Sequence, residues 1–124
     1  MAFQLSALIP LLETLDLEGT VAFYTDVLGF SCTGYEEDTW ASMERDQVAI
    51  MFACPKNQEV ILTPAMSGSL YFYPDRLEEI WEFVKDKARI CYPLEDFDSG
   101  VKEFGIFDNN GYLLQFGQAT GEEE

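Results

Sequence analysis

Val101-Lys102-Glu103-Phe104-Gly105-Ile106-Phe107-Asp108-Asn109-Asn110-Gly111-Tyr112-Leu113-Leu114-Gln115-Phe116-Gly117 is the stretch whose reading decides the fold. Its two ends are short β-type runs. Between them lies Asp108-Asn109-Asn110-Gly111, whose Asn and Gly tolerate the positive φ of a tight turn, so the segment is a hairpin. It also carries Gln115, on which the functional reading depends.

Working outward, residues 96–100 form a loop and residues 88–92 a strand. Leu77, Ile80, Trp81 and Val84 mark the apolar face of a helix. Asp75 is its expected cap, with Glu78 three residues on as the second half of a capping box. Glu79, Glu82 and Asp86 are its solvated face. Residues 68–73 read as a strand. Residues 56–67, bracketed by Pro55 and Pro64 and polar in composition, read as a linker with a short extended piece at Val60-Ile61-Leu62.

The first half has the same order of elements. Residues 7–13 are apolar and read as a strand, and Asp16 caps a helix whose inner face is Leu17, Val21, Tyr24 and Leu28. Gly29 stops that helix. Strands follow at residues 30–35, 39–44 and 47–54, the last bounded by Pro55. Strand, helix, strand, strand, strand thus occurs twice, a repeat in element order without repetition of residues. The expected architecture is α+β: a single domain over residues 1–124 built of two βαβββ modules, about 7–62 and 68–118, with an acidic tail at 121–124. Two such curved mixed sheets pairing edge to edge leave an open cup on the helix-free face, the natural place for a ligand.

Composition narrows the partners. The net charge is −16, from 23 acidic and 7 basic side chains, which disfavours nucleic acid and anionic membranes and attracts cations. Histidine is absent, and with it the usual general base and the commonest metal ligand. Cys32, Cys54 and Cys91 are widely spaced and match no zinc or redox motif, so they read as small buried hydrophobes of a reducing compartment. No apolar run is long enough to span a bilayer, and the first residues lack the basic region of a signal peptide. A cytoplasmic protein is expected.

Three motifs together resemble the vicinal oxygen chelate superfamily, which includes glyoxalase I, extradiol dioxygenases and bleomycin resistance proteins. They are Thr14-Leu15-Asp16-Leu17-Glu18 leading into Ala22-Phe23-Tyr24-Thr25-Asp26-Val27-Leu28-Gly29-Phe30, then Asp98-Ser99-Gly100-Val101-Lys102-Glu103-Phe104, and the hairpin from Asp108 to Gly117. The resemblance implies the tandem βαβββ fold, often a homodimer, with metal ligands in the enzymatic members on inward-facing strand positions. Those positions fall near Ile9, near Ser69, at Gln115 and among Phe52, Ala53 and Cys54. Ile9 cannot coordinate, Ser69 is weak when neutral, and Gln115 is a neutral oxygen where a carboxylate belongs. No metal or other cofactor is expected.

Alternation along the strands then defines the lining. Ser69, Tyr71 and Tyr73 share one face, as do Gln115 and Leu113, while Leu70, Phe72, Leu114 and Phe116 turn to the core. Ile9, Leu11 and Glu13 share the inner face of the first strand. Trp40 is on a common face with Ser42, and Phe52 or Met51 completes the wall, with Phe52 the choice. Such an aromatic lining suits an amphipathic small molecule, cationic in preference. Bleomycin resistance proteins, by resemblance, sequester such drugs without chemistry in grooves at a dimer interface. The expectation is therefore a metal-free binding protein of that type. The alternative is a glyoxalase- or dioxygenase-like lyase, isomerase or oxygenase with a non-standard metal site. Of the carboxylates that could serve as a base without metal, Glu13 and Glu103, the latter is expected to bond loop amides instead.

Overall fold

The computed structural model describes residues 2–55, 65–97 and 100–119. The chain divides into two compact units, Met1–Thr63 and Pro64–Glu124. Each has the element order anticipated from sequence, and together they make a tandem βαβββ chain of the α+β class.

The first unit contains β1 (Leu11–Glu13), α1 (Leu17–Asp26), β2 (Ser31–Glu36), β3 (Trp40–Arg45) and β4 (Val48–Ala53). Its sheet runs β1-β4-β3-β2, with β1 parallel to β4 and the other pairs antiparallel. Asp16 caps α1 as expected, accepting the Gly19 N–H at 2.9 Å. Gly29 ends the turn with φ of +74°. Tyr24, fully buried on the inner face of α1, meets the Phe52 and Phe30 rings at 5.0 and 5.6 Å between centroids. Ala41, Met43 and Ile50 complete that core.

The first strand is shorter than its apolar run. Pairing with β4 begins at Leu11, since Pro10 has no N–H to add to a ladder, although its carbonyl still accepts from Met51 at 2.9 Å. Residues 2–9 are exposed and irregular.

The second unit contains β5 (Leu70–Phe72), α2 (Leu77–Val84), β6 (Arg89–Phe97), β7 (Val101–Phe107) and β8 (Leu113–Ala119), in sheet order β5-β8-β7-β6. Phe72, Phe116 and Phe104, on adjacent strands, stack at 4.7 and 4.9 Å under the helix, and Trp81 of α2 lies 5.1 Å from Phe104. The hairpin forms as read. Asp108 Oδ1 accepts the Asn110 and Tyr112 N–H groups at 2.8 and 2.9 Å, and Gly111 takes φ of +89°.

Three local expectations are corrected. Asp75 does not cap α2: Arg76 is at the cap position without a side-chain bond, and Gln118 from β8 accepts the Leu77 N–H at 3.0 Å while donating to the Asp75 carbonyl at 2.6 Å. A tertiary partner has displaced the local one. β6 continues to Phe97 instead of ending near residue 92, because an edge strand tolerates the missing N–H of Pro93 through two shifts of register. The cysteines are not small core residues: Cys32 and Cys91 are exposed and Cys54 is half-buried.

The expected piece at residues 60–62 and the tail at 121–124 lie outside the described residues. Among the described residues no helix is long and apolar enough to cross a membrane.

Candidate functional site

Each sheet buries one face under its helix. The other face carries the polar and aromatic side chains, most densely in the second unit. Tyr71 of β5 is in register with Gln115 of β8, which is in register with Gly105 of β7, which is in register with Tyr92 of β6. Two residues along the same face, Glu103 of β7 is opposite Gly117 of β8 and Glu95 of β6.

The two glycines make room for the rings. A Cβ on Gly105 would collide with the Tyr92 ring, and one on Gly117 with the Tyr71 hydroxyl. Neither glycine has a positive φ, so space and not backbone freedom is what these positions require. The rings therefore lie over the sheet.

Two hydrogen-bonded groups result. Ser69 Oγ bonds Gln115 Oε1, Gln115 Nε2 donates to the Tyr92 hydroxyl at 3.0 Å, and on the same face Tyr71 donates its hydroxyl to Glu103 Oε2. Burial, followed by the Glu103 carboxylate, pushes the Tyr71 hydroxyl above the ordinary phenol range. Tyr92 is raised too, chiefly by burial, against an opposing effect of the bond from Gln115. Both tyrosines thus remain protonated donors at neutral pH.

Tyr73, 84 % exposed, meets Tyr71 at 5.0 Å between centroids, and Phe97 meets Tyr92 edge-on at 6.2 Å. Leu113 is half-buried on the Gln115 side of β8. Ser69, Tyr71, Gln115 and Tyr73 are thus brought together as their alternation required.

In the first unit Leu11, Glu13, Trp40, Ser42, Met51 and Ala53 share the helix-free face by register. Gly34 plays the same part there, with the Trp40 ring 2.8 Å from where its Cβ would be. Ile9 precedes β1 and is exposed in the irregular arm, outside the sheet. Phe52 is a correction: in register with Leu12 and Ala41 it points under α1, 0 % exposed and against Tyr24, because one step along a strand changes the face. Met51 takes the wall position.

Tyr92, Glu103, Gly105 and Gly117 were absent from the sequence-based lining. Glu103 does not serve loop amides; it faces the tyrosines. The available signal was the alternation of β7, which puts Glu103 and Gly105 on one face, but the partner strand that makes them a site is not visible in a linear pattern.

The family resemblance raises the question of a divalent metal. Gln115 presents a neutral amide whose two ends are already bonded to Ser69 and Tyr92. Ile9 is outside the sheet, and Glu103 is the sole carboxylate among these bonded side chains. Among the described residues no group of three or more His, Cys, Asp or Glu side chains is placed to hold a metal ion. This donor set does not fit a divalent centre.

Residues 11–116 match the family model described as the glyoxalase/bleomycin resistance protein/dioxygenase superfamily. No curated protein matches the chain in sequence. Solved structures are similar in fold. A protein of unknown function from Agrobacterium tumefaciens str. C58 has a TM-score of 0.74 at 19 % identity, covering 95 % of this chain and 98 % of its own. The bleomycin resistance determinant encoded on transposon Tn5 gives 0.73 at 22 % identity over 93 % and 98 %. A bleomycin-binding protein complexed with bleomycin gives 0.71 at 23 % over 92 % and 98 %.

Proposed function

The chain belongs to the glyoxalase/bleomycin resistance protein/dioxygenase superfamily, and we propose that within it the protein is a metal-free binder of the bleomycin resistance type. It captures an amphipathic small molecule, cationic in preference, without transforming it. The observation that carries this reading is Gln115. The final strand presents an amide engaged by Ser69 and Tyr92 where metal-dependent relatives are expected to present a carboxylate, and the face around it is built from aromatic rings.

Rings lying over glycines offer flat apolar area at small entropic cost, since each is already held in place. Glu103 adds one fixed negative charge, and the net charge of −16 raises the local concentration of a cation. The candidate ligand-binding residues are Leu11, Glu13, Trp40 and Met51 on the helix-free face of the first unit and, on that of the second, Ser69, Tyr71, Tyr73, Leu113 and Gln115 with Tyr92 and Glu103. The solved bleomycin-binding relative supports the ligand class. The working form is a cytoplasmic homodimer of single-domain chains.

Tryptophan fluorescence tests the proposal. Of the two tryptophans, Trp40 is on the helix-free face and Trp81 packs under α2 against Phe104. Titration with bleomycin is expected to quench saturably, equally with and without a chelator, and Trp40→Phe is expected to abolish most of the signal. Absence of saturable binding by calorimetry, for bleomycin and for a panel of other cationic amphipathic drugs, would refute it. Stoichiometric zinc, manganese, nickel or iron retained after gentle purification would favour an enzyme instead.

A further inference from the structure

The second unit has a feature that general ligand capture does not account for. Glu95 and Glu103 are directly opposite each other on adjacent antiparallel strands, on the helix-free face. Like charges in that position repel. None of the salt bridges among the described residues reaches either of them: Lys102, next to Glu103 in β7, faces the other way and pairs with Glu78 at 2.7 Å.

Around these carboxylates stand four rings. Tyr71 bonds Glu103 through its hydroxyl, Tyr92 receives the Gln115 amide, Tyr73 packs on Tyr71, and Phe97 packs on Tyr92. Tyr71 and Phe97 are each 38 % exposed, so ring surface is open to solvent beside the charge.

We propose that this cluster is a recognition site for an alkylated ammonium group, with Glu103 as counter-ion, Glu95 as a second negative charge, and the rings of Tyr71, Tyr73, Tyr92 and Phe97 as the cation-binding walls. Hydrogen bonding at Glu103 favours alkylated ammonium over guanidinium. A guanidinium needs a carboxylate with free oxygen lone pairs for its two parallel N–H donors. Glu103 Oε2 already receives the Tyr71 hydroxyl. Its charge is held in place, and a fork spanning both oxygens would compete with the Tyr71 hydroxyl, whereas a cation that brings charge and methyl groups but few donors would not. The raised pKa values of Tyr71 and Tyr92 keep those hydroxyls protonated, so the arrangement persists through the neutral range.

The inference rests on the capture reading and specifies which part of a ligand the second unit holds. Choline, its neutral carbon isostere 3,3-dimethylbutan-1-ol, and methylguanidine serve as probes, titrated into the full chain and followed by NMR shifts of the tyrosine rings. Choline is expected to bind saturably and to weaken with added salt. The isostere and methylguanidine are each expected to bind at least tenfold more weakly. Glu103→Gln, which can still accept the Tyr71 hydroxyl, is expected to lose at least tenfold for choline at an unchanged melting temperature, and Glu95→Gln several-fold. Tyr92→Leu, removing one wall, is expected to lose choline affinity too.

Equal binding of choline and its isostere, tighter binding of methylguanidine, or an unaltered Glu103→Gln would overturn the inference. Should bleomycin bind while choline does not, and Glu103→Gln leave bleomycin affinity unchanged, this site is refuted and ligand capture stands. Should choline bind with these preferences and no amphipathic drug bind, the site stands and drug capture falls.

Discussion

Replacing Gly105 by alanine tests the geometry on which the site depends. The added Cβ would overlap Cε1 of the Tyr92 ring, with two further ring atoms at 3.0 Å. The ring has limited freedom to retreat, since its hydroxyl is tied to Gln115 at 3.0 Å and its edge meets Phe97. Forcing a methyl into such a space costs about 1–3 kcal/mol. Against this, the backbone at Gly105 has no positive φ, so alanine is conformationally acceptable and gains about 0.5–1 kcal/mol from the less flexible unfolded chain.

The net expectation is a loss of about 0.5–2 kcal/mol, or a urea midpoint lower by roughly 0.5 M. In a Tyr92→Ala background the obstruction is gone, and Gly105→Ala should stabilise by about 0.5–1 kcal/mol. The sign of one substitution thus reverses with the identity of a residue on the next strand. Urea unfolding followed by circular dichroism on the four proteins of this cycle gives the coupling directly. If Gly105→Ala is neutral or stabilising in the parent protein, or if the two changes are additive, Tyr92 does not lie over Gly105 and the described face is wrong.

Gln118→Ala is expected to cost about 0.5–2 kcal/mol through loss of the α2 cap, whereas Asp75→Ala should fall within about 0.5 kcal/mol, as thermal melts would show. The reverse order would restore the local capping box. Tyr71 makes stability depend on pH in the alkaline range. Its folded-state pKa exceeds the unfolded value of about 10, so its contribution is complete below that value and is lost as pH rises toward the raised one. The urea midpoint of the parent should therefore decline more steeply above pH ~10 than that of Tyr71→Phe; parallel profiles would contradict the Tyr71–Glu103 bond. Gln115→Glu alone is expected to create no tight zinc site, and micromolar zinc binding in a calorimetric titration of that variant would show that other ligands had been overlooked.

Helices and the hairpin were legible from local signals because their causes are local. Asp16 reaches its own helix's Gly19, and Asp108 reaches Asn110 and Tyr112 within a single turn. Strand alternation likewise put Tyr71 and Gln115 on one face and Phe72 and Phe116 on the other. Phe52 failed because its phase relative to Trp40 depends on the β3–β4 register, and a shift of one residue turns every side chain over. The α2 cap failed for a related reason, since Gln118 is 41 residues from Leu77.

What the sequence by itself determined was the order of elements, the repeat, the motifs of the superfamily and the absence of histidine, all of which follow from periods and residue types along the chain. Only the tertiary structure decided that Glu103 faces tyrosines instead of a loop, that Glu95 stands against it, and that Gly105 and Gly117 exist to hold rings over the sheet. Those relations join β5, β6, β7 and β8 across hydrogen-bonded registers, and a register is a property of two strands together, set by packing that no single strand encodes.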